Sequence, residues 1–387
     1  MSDSLSLYRT LLEFVWQNGV RFHDLRCLMT FVWALVGLLL SQQIHLSQWA
    51  LYRPGRAKAG SKQRQLARWL HNRKINPSQV YGPLIKQVLR AWTNQRLFLA
   101  LDSSSLWGRF TVVRLALIYR GRALPLTWRV LSRQSASVGY ADYQIILRQA
   151  ADLLPAKCQV ILLADRGFVD VKLFQLARDL GWSFRVRLKQ SLWVYRANKP
   201  RTKVGRLMPA RGQARFVPKV WLTEQQFGPV YLALAHVQTA NGYEQWAIVS
   251  DEPTDLQTLT EYGFRFDIEE NFLDDKSAGF QLEASEIQVA EALARLLLIL
   301  AVATVYLVNS GVAVVTTRQR HQVDAHWQRG LSYLQLGWRW LRQALSQGKR
   351  LFKWLWLKPG PDPDPVFASA KQVAQPIAII SAIQLLI

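Results

Sequence analysis

The sequence predicts an α/β fold with a helical N-terminal region, a mixed core of strands and helices, and a β-rich insertion. Three observations carry this. Near residue 96 the spacing of apolar residues changes from helical to strand-like. The next stretch reads strand, strand, strand, helix, strand, helix, strand. Residues 190–255 then alternate like further strands before helical spacing returns.

Residues 1–95 read as helices. Leu28–Leu40 is apolar apart from Thr30 and Gly37, the pattern of a buried helix. Ser61 is placed to cap a basic helix running through Trp69 to His71; Asn76-Pro77-Ser78 interrupts the chain, and helical spacing resumes over Tyr81–Trp92. Leu97–Leu101 reads as a buried strand ending at Asp102. Thr111–Tyr119 and Ala123–Val130 form the next two strands, turned at Gly121. Tyr140–Leu154 is helical and is followed by Pro155; Gln159–Leu163 is a fourth strand ending near Asp165. Asp170–Leu180 is a helix stopped by Gly181, and Ser183–Leu188 a fifth strand. This is the element order of a ribonuclease-H-like core, expected over 96–189 and 256–316.

In the insertion, 190–255, the best strands are Gln213–Trp221, Val230–Val237 and Tyr243–Ser250. Thr260–Lys276 reads as one helix, with a long apolar helix after Ile287. Its mainly apolar run, Leu296–Val308, is shorter than the roughly 20 residues a spanning helix needs, so a core helix and no membrane partner are expected. Residues 317–358 form a basic, Trp-rich helical tail. There Leu331, Leu334, Trp338, Leu341 and Leu345 share a face suited to packing on the core or on a second subunit. Residues 359–387 hold a Pro-rich break and an apolar end with no assigned role.

Charge narrows the function. The chain has 49 Lys and Arg against 26 acids, a net +23, which favours a polyanionic partner. Residues 25–101 and 180–223 contain no acid at all, so two separate surfaces for phosphate backbone are expected. The first makes residues 1–95 a DNA-binding region, although no helix-turn-helix signature stands out. The second includes Arg201, Lys203, Arg206 and Arg211. Cys27 and Cys158 are the two cysteines; their spacing fits no metal motif and implies no disulfide framework. With no signal-like N-terminus, a cytoplasmic, nucleoid-associated protein is expected.

Three acids fall at matching places of the expected core: Asp102 and Asp165 at adjacent strand ends, and Glu269 on the helix that packs over them. Carboxylates so placed can hold two Mg²⁺ or Mn²⁺ ions that neutralise the attacking and leaving oxygens of a phosphodiester. Taken singly, Asp102 and Asp165 could each merely cap a turn, and Glu269 could be solvated. Tyr262, Arg265, Glu269 and Lys276 fall within a sector of roughly 60° on an ideal helix, so one face offers a hydroxyl, two cations and a carboxylate. An ordinary amphipathic helix with an Arg–Glu pair is the plainer alternative.

Tyr262-x2-Arg265-x3-Glu269-x6-Lys276 resembles the Tyr-Arg-Glu-Lys signature of the insertion-sequence-four family of DDE transposases. Leu162-Leu163-Ala164-Asp165-Arg166-Gly167-Phe168 resembles that family's second-Asp motif, and Ala100-Leu101-Asp102-Ser103-Ser104 its first. The resemblance covers about residues 60–300. Phe266 stands where Trp is frequent, and serines follow Asp102 where Thr is common. It implies Mg²⁺-dependent cut-and-paste transposition through hairpinned ends, acting as a homodimer on terminal inverted repeats and target DNA. In that reading Asp102, Asp165 and Glu269 hold metal, and Tyr262, Arg265 and Lys276 position DNA phosphates. An aromatic of the insertion, Trp193, Trp221 or Trp246, would hold a flipped base. A nuclease of the same fold without strand transfer, and a non-catalytic DNA-binding protein of transposase descent, are the alternatives.

Overall fold

The computed structural model describes residues 3–135, 137–239, 242–366 and 384–386. The N-terminal part is five helices: α1 (Asp3–Gln17), α2 (Leu25–Ser41), α3 (Leu46–Leu51), α4 (Ala59–Leu70) and α5 (Pro77–Leu89). Helix α2 contains the apolar run. It starts at Asp24, whose carboxylate accepts from the Arg26 and Cys27 amides. Asn76 caps α5 in the same way, with Pro77 in the first turn, where the missing N–H does no harm. Ser61 is not the cap expected of it. Helix α4 begins three residues earlier than that, with Lys58 at the cap position, and Ser61 lies in its first turn. The surrounding residues are exposed, so water can serve the free amides.

The core strands follow. β1 (Arg96–Leu106), β2 (Phe110–Tyr119) and β3 (Arg122–Leu131) form an antiparallel meander. Between β2 and β3, Gly121 turns with φ +76°, a conformation that favours glycine. After α6 (Tyr140–Ala151), β4 (Gln159–Ala164) pairs parallel to β1. After α7 (Val171–Asp179), β5 (Ser183–Arg187) pairs parallel to β4. The order of elements is the one the sequence predicts.

The insertion supplies β6 (Trp193–Arg196), β7 (Lys199–Lys203), β8 (Gln213–Leu222), β9 (Phe227–Thr239) and β10 (Gly242–Ser250). β10 pairs antiparallel with β5, Val249 opposite Val186, so the insertion extends the core sheet. With β11 (Gln384–Leu386) beside β8, the described strands make one sheet of eleven, in the path β3-β2-β1-β4-β5-β10-β9-β8-β6-β7. The fold is therefore mixed α/β with one large mixed sheet.

The expected helix over Thr260–Lys276 is not continuous. It is α8 (Leu256–Gly263), α9 (Phe266–Leu273) and a π turn, Asp274–Ala278. The Phe264 and Arg265 amides bond three residues back, to the Glu261 and Tyr262 carbonyls, so the chain tightens at Gly263 and then loosens in the π turn. An ideal 3.6-residue period over the whole stretch fails for that reason.

Helix α10 (Ala290–Thr316) is 27 residues long, with a mean hydropathy of 2.2 in its most apolar window. By length and composition it could cross a membrane, twice the span of the apolar run read from sequence. Yet 94% of that window is buried inside the protein. Its surroundings include α2, α4, α5, β3 and α11 (Tyr333–Ser346). Buried Arg295 donates to the Ile75 and Leu70 carbonyls, tying the N-terminal helices to α10. Gly311 and Gly337 let α10 and α11 touch backbone to backbone: a Cβ on either would lie 1.9 Å from a carbonyl oxygen of the other helix. Leu334, Leu341 and Leu345 are buried, so the tail helix packs on the core of its own chain. Most of the apolar C-terminal stretch, 367–383 and 387, lies outside the described residues.

Candidate carboxylate active site

The parallel pairing of β1 with β4 ends at Leu101 opposite Ala164. Asp102 and Asp165 are the next residue on each strand, so the two carboxylates start from neighbouring strands about 4.8 Å apart. Beyond this point the strands part. β1 continues to Leu106 along β2, so Asp102 sits within a strand rather than at its end. β4 stops, and Asp165 opens a short 3₁₀ turn, Arg166–Phe168. Each acid also makes the local contact of the plainer reading. Asp102 accepts from the Ser103 amide at 2.7 Å, and Asp165 accepts from the Gly167 amide at 2.7 Å.

α9 lies over β1 and brings Glu269 and Arg265 to this edge. The Arg265 guanidinium donates to Glu269 at 2.5 Å and stands 3.6 Å from Asp102. Arg265 is buried, whereas the Glu269 side chain is 51% exposed. Burial pushes the Asp102 carboxyl up to about 6; the Arg265 charge and the Ser103 amide oppose this, and the Asp165 and Glu269 charges add to it. The three acids thus share one electrostatic environment.

The donor set, all carboxylate oxygens, fits a hard divalent cation. The like charges that raise Asp102 are those a cation would relieve. The acids do not converge on a point, however, because Arg265 spans two of them. Among the described residues, the acid, imidazole and thiol groups that already meet within 4.8 Å are those of His23, Asp24 and Cys27.

The other expected contacts divide. Lys276 donates to the Ser105 carbonyl at 2.8 Å and leans toward Glu283 at 3.8 Å, so it braces the strand that carries Asp102. Tyr262 lies beside Arg265, whose guanidinium carbon is 5.9 Å from its ring centre. It is fully buried, edge-on to Trp246 at 5.1 Å between ring centres, and burial pushes its hydroxyl up to about 12. The Arg265, Arg187 and Asp165 charges all act on its hydroxyl, so it backs the carboxylate edge from inside the protein. Trp246 is buried in the same cluster and stacks on Phe266, whereas Trp193 is half-buried with Arg201 4.6 Å and Lys203 5.4 Å from its ring centre.

Arg201, Lys203, Arg206 and Arg211 are all exposed. Arg185, from the same acid-free tract, is not a DNA-facing residue. It is buried and bonded to Glu252 and Glu261 at 2.6 and 3.3 Å. The sequence concealed these acids because they lie some 70 residues downstream.

Two features were not read from sequence. An open cavity of about 860 Å³ is lined by Arg166, the residue after Asp165, and by Arg187, Lys189, Gln190, Tyr243 and Glu244 among others. Its signal was the acid-free tract itself, of which Arg187 and Lys189 are part. The second is Arg114, directly opposite Asp102 in the β1–β2 register. Its buried guanidinium donates to Asn271 and Asp275, both at 2.6 Å, and so fastens α9 and the π turn to β2. Sequence could not show this, since an arginine in an apolar strand has no local partner.

No protein-family model matches this sequence, nor does any curated protein. Among solved structures, a piggyBac transposase synaptic complex with hairpin DNA, determined by cryo-EM, is similar at a TM-score of 0.37 and 10% identity. The match covers 98% of this chain and 89% of that one, a likeness too low to argue from.

Proposed function

We propose that the chain is a metal-dependent DNA transposase of the DDE type, of the insertion-sequence-four family, built on a ribonuclease-H-like core. The observation that carries this is the grouping of Asp165 and Glu269 within electrostatic reach of Asp102 at the edge where β1 and β4 part, with Arg265 between Asp102 and Glu269. The sheet order β3-β2-β1-β4-β5 and the sequence signature support the same reading.

Asp102, Asp165 and Glu269 would hold two Mg²⁺ or Mn²⁺ ions, which when bound neutralise charge on the attacking and leaving oxygens. Glu269, the most exposed of the three, can exchange Arg265 for that role by rotating its side chain. Arg265 is then free to face a phosphate flanking the cut, where a planar guanidinium offers paired donors. In the first step water attacks phosphorus, the P–O3′ bond breaks and a free 3′-hydroxyl leaves. That hydroxyl would then attack the opposite strand, closing a hairpin as the flanking strand's 3′-oxygen leaves; a second water would reopen the hairpin and free the 3′-hydroxyl again, which attacks a target phosphodiester and displaces its 3′-oxygen. The exposed cations Arg201, Lys203, Arg206 and Arg211, with the cavity at Arg166 and Lys189, form a basic approach to the edge.

The test is incubation of the protein with labelled DNA bearing its flanking element ends, with and without Mg²⁺. Nicks, hairpins and joined products are expected with the ion. Cleavage without joining would favour the nuclease reading. No cleavage with Mg²⁺ or Mn²⁺, while DNA is bound, would leave the non-catalytic one.

A further inference from the structure

We propose a second, chemically different metal site at the start of α2, formed by His23, Asp24 and Cys27 and suited to zinc or a similar transition ion. The site stands apart from the transposase reading, since none of the three belongs to the carboxylate edge. Nε2 of His23 lies 3.6 Å from Sγ of Cys27 and 3.6 Å from Oδ2 of Asp24; Oδ2 lies 3.8 Å from Sγ.

Those three distances describe one face of a tetrahedron. With Zn–N and Zn–O near 2.1 Å and Zn–S near 2.3 Å, tetrahedral angles give donor–donor edges of roughly 3.4–3.6 Å. Each observed edge is within about 0.2 Å of that range, so little movement is needed. The mixed imidazole, carboxylate and thiol set prefers zinc to Mg²⁺, which takes hard oxygens alone.

Local structure fixes the donors. Oδ1 of Asp24 is spent on the Arg26 and Cys27 amides as the cap of α2, which aims Oδ2 at the thiol. Cys27 is held from the other side. Its carbonyl accepts from the Trp69 indole at 3.0 Å, and its sulfur accepts from the Asn72 amide at 3.5 Å. A donor on the sulfur supports a metal-bound thiolate. Burial and the Asp24 charge hold the free thiol up, so binding releases its proton to solvent. The His23 and Asp24 side chains are 34% and 46% exposed, which leaves the fourth position to water. Cysteine spacing alone hid the set, because only one of its three members is a cysteine.

The experiment is zinc titration of the metal-stripped full chain against a chromophoric chelator, in excess Mg²⁺ to occupy the carboxylates. About one zinc per chain is expected, with a thiolate-to-metal charge-transfer band when Co²⁺ replaces zinc. Cys27→Ser should lose the band and His23→Ala should weaken zinc at least tenfold, while Asp102→Ala keeps both. No retained zinc, or zinc retained equally by Cys27→Ser and His23→Ala, overturns the proposal.

Discussion

Helix α9 and the π turn after it carry acids of two kinds. Asp274 and Asp275 are buried, and each faces a guanidinium: Arg122 at 3.5 Å, which also reaches Glu270, and Arg114 at 2.6 Å. Glu269 and Asp102 stand at a solvent-reached edge where two carboxylates share Arg265, and the Asp165 charge acts on Asp102 from the next strand. The first arrangement neutralises charge inside the protein and holds elements together. The second leaves surplus negative charge where a cation and a phosphate can approach. Both use the same residue types within a few positions of one helix, so pairing and burial, not composition, separate a tie from a site.

The largest effect should come from the edge. Asp102→Ala, Asp165→Ala or Glu269→Ala is expected to lower cleavage of element ends at least a thousandfold, roughly 4 kcal/mol of transition-state stabilisation. Folding and salt-dependent DNA binding should persist in each, and chelation of divalent ions should reproduce the loss in the wild type. Wild-type cleavage by any one variant would remove that residue from the site.

The buried set should respond in the opposite way. Arg114→Ala strands Asp275 and Asn271 without their partner, and breaking a buried pair from one side costs about 3–5 kcal/mol. The expected outcome is a markedly lower melting temperature, with activity lost through unfolding. An Arg114→Ala protein that melts like wild type yet cannot cleave would merge the two regions, making Arg114 part of the site.

Between these extremes lie the cations near Glu269. Arg265→Ala should slow hairpin closure or joining by about 1.5–3 kcal/mol, the usual worth of a charge-assisted contact, while the first nick stays visible. Lys276→Ala should do less, because its ammonium is engaged with the Ser105 carbonyl. A time course that separates nick, hairpin and joined product distinguishes them. If both variants lose the first nick as fully as Glu269→Ala, this division of roles fails.

The sequence showed most of the scaffold and the positions of the acids. Asp102 and Asp165 were legible because each follows an apolar run that has to be a buried strand, and Gly121 and Gly181 because only a turn or helix end uses them so. The burial of Tyr262 was not legible: its ring packs edge-on to Trp246 of β10, a contact made by folding that no periodicity records. Arg185 and Arg114 were hidden for a different reason. An arginine's role depends on acids brought to it by folding, here Glu261 from 76 residues away and Asp275 from 161. The insertion's alternation announced strands, but pairing of β10 with β5 is a long-range event that its own residues do not encode.

The smallest effect sharpens the comparison through pH. Burial raises the Asp274 carboxyl to about 6, only partly opposed by Arg122, and its Oδ2 has no hydrogen-bond partner. The folded chain therefore binds this proton more tightly than the unfolded chain, whose aspartates titrate near 4. Stability from this group falls as pH rises from about 4 to about 6, and above 6 the full penalty stands. Asp274→Asn removes the charge but keeps the shape. It should stabilise the fold at neutral pH, by on the order of 1–2 kcal/mol, seen as a higher melting temperature, and the gain should vanish toward pH 4. Cleavage should be unchanged, because Asp274 belongs to the tied set. A variant less stable than wild type at neutral pH would mean that the Arg122 pair outweighs burial, and Asp274 would then join Asp275 as a net stabilising tie.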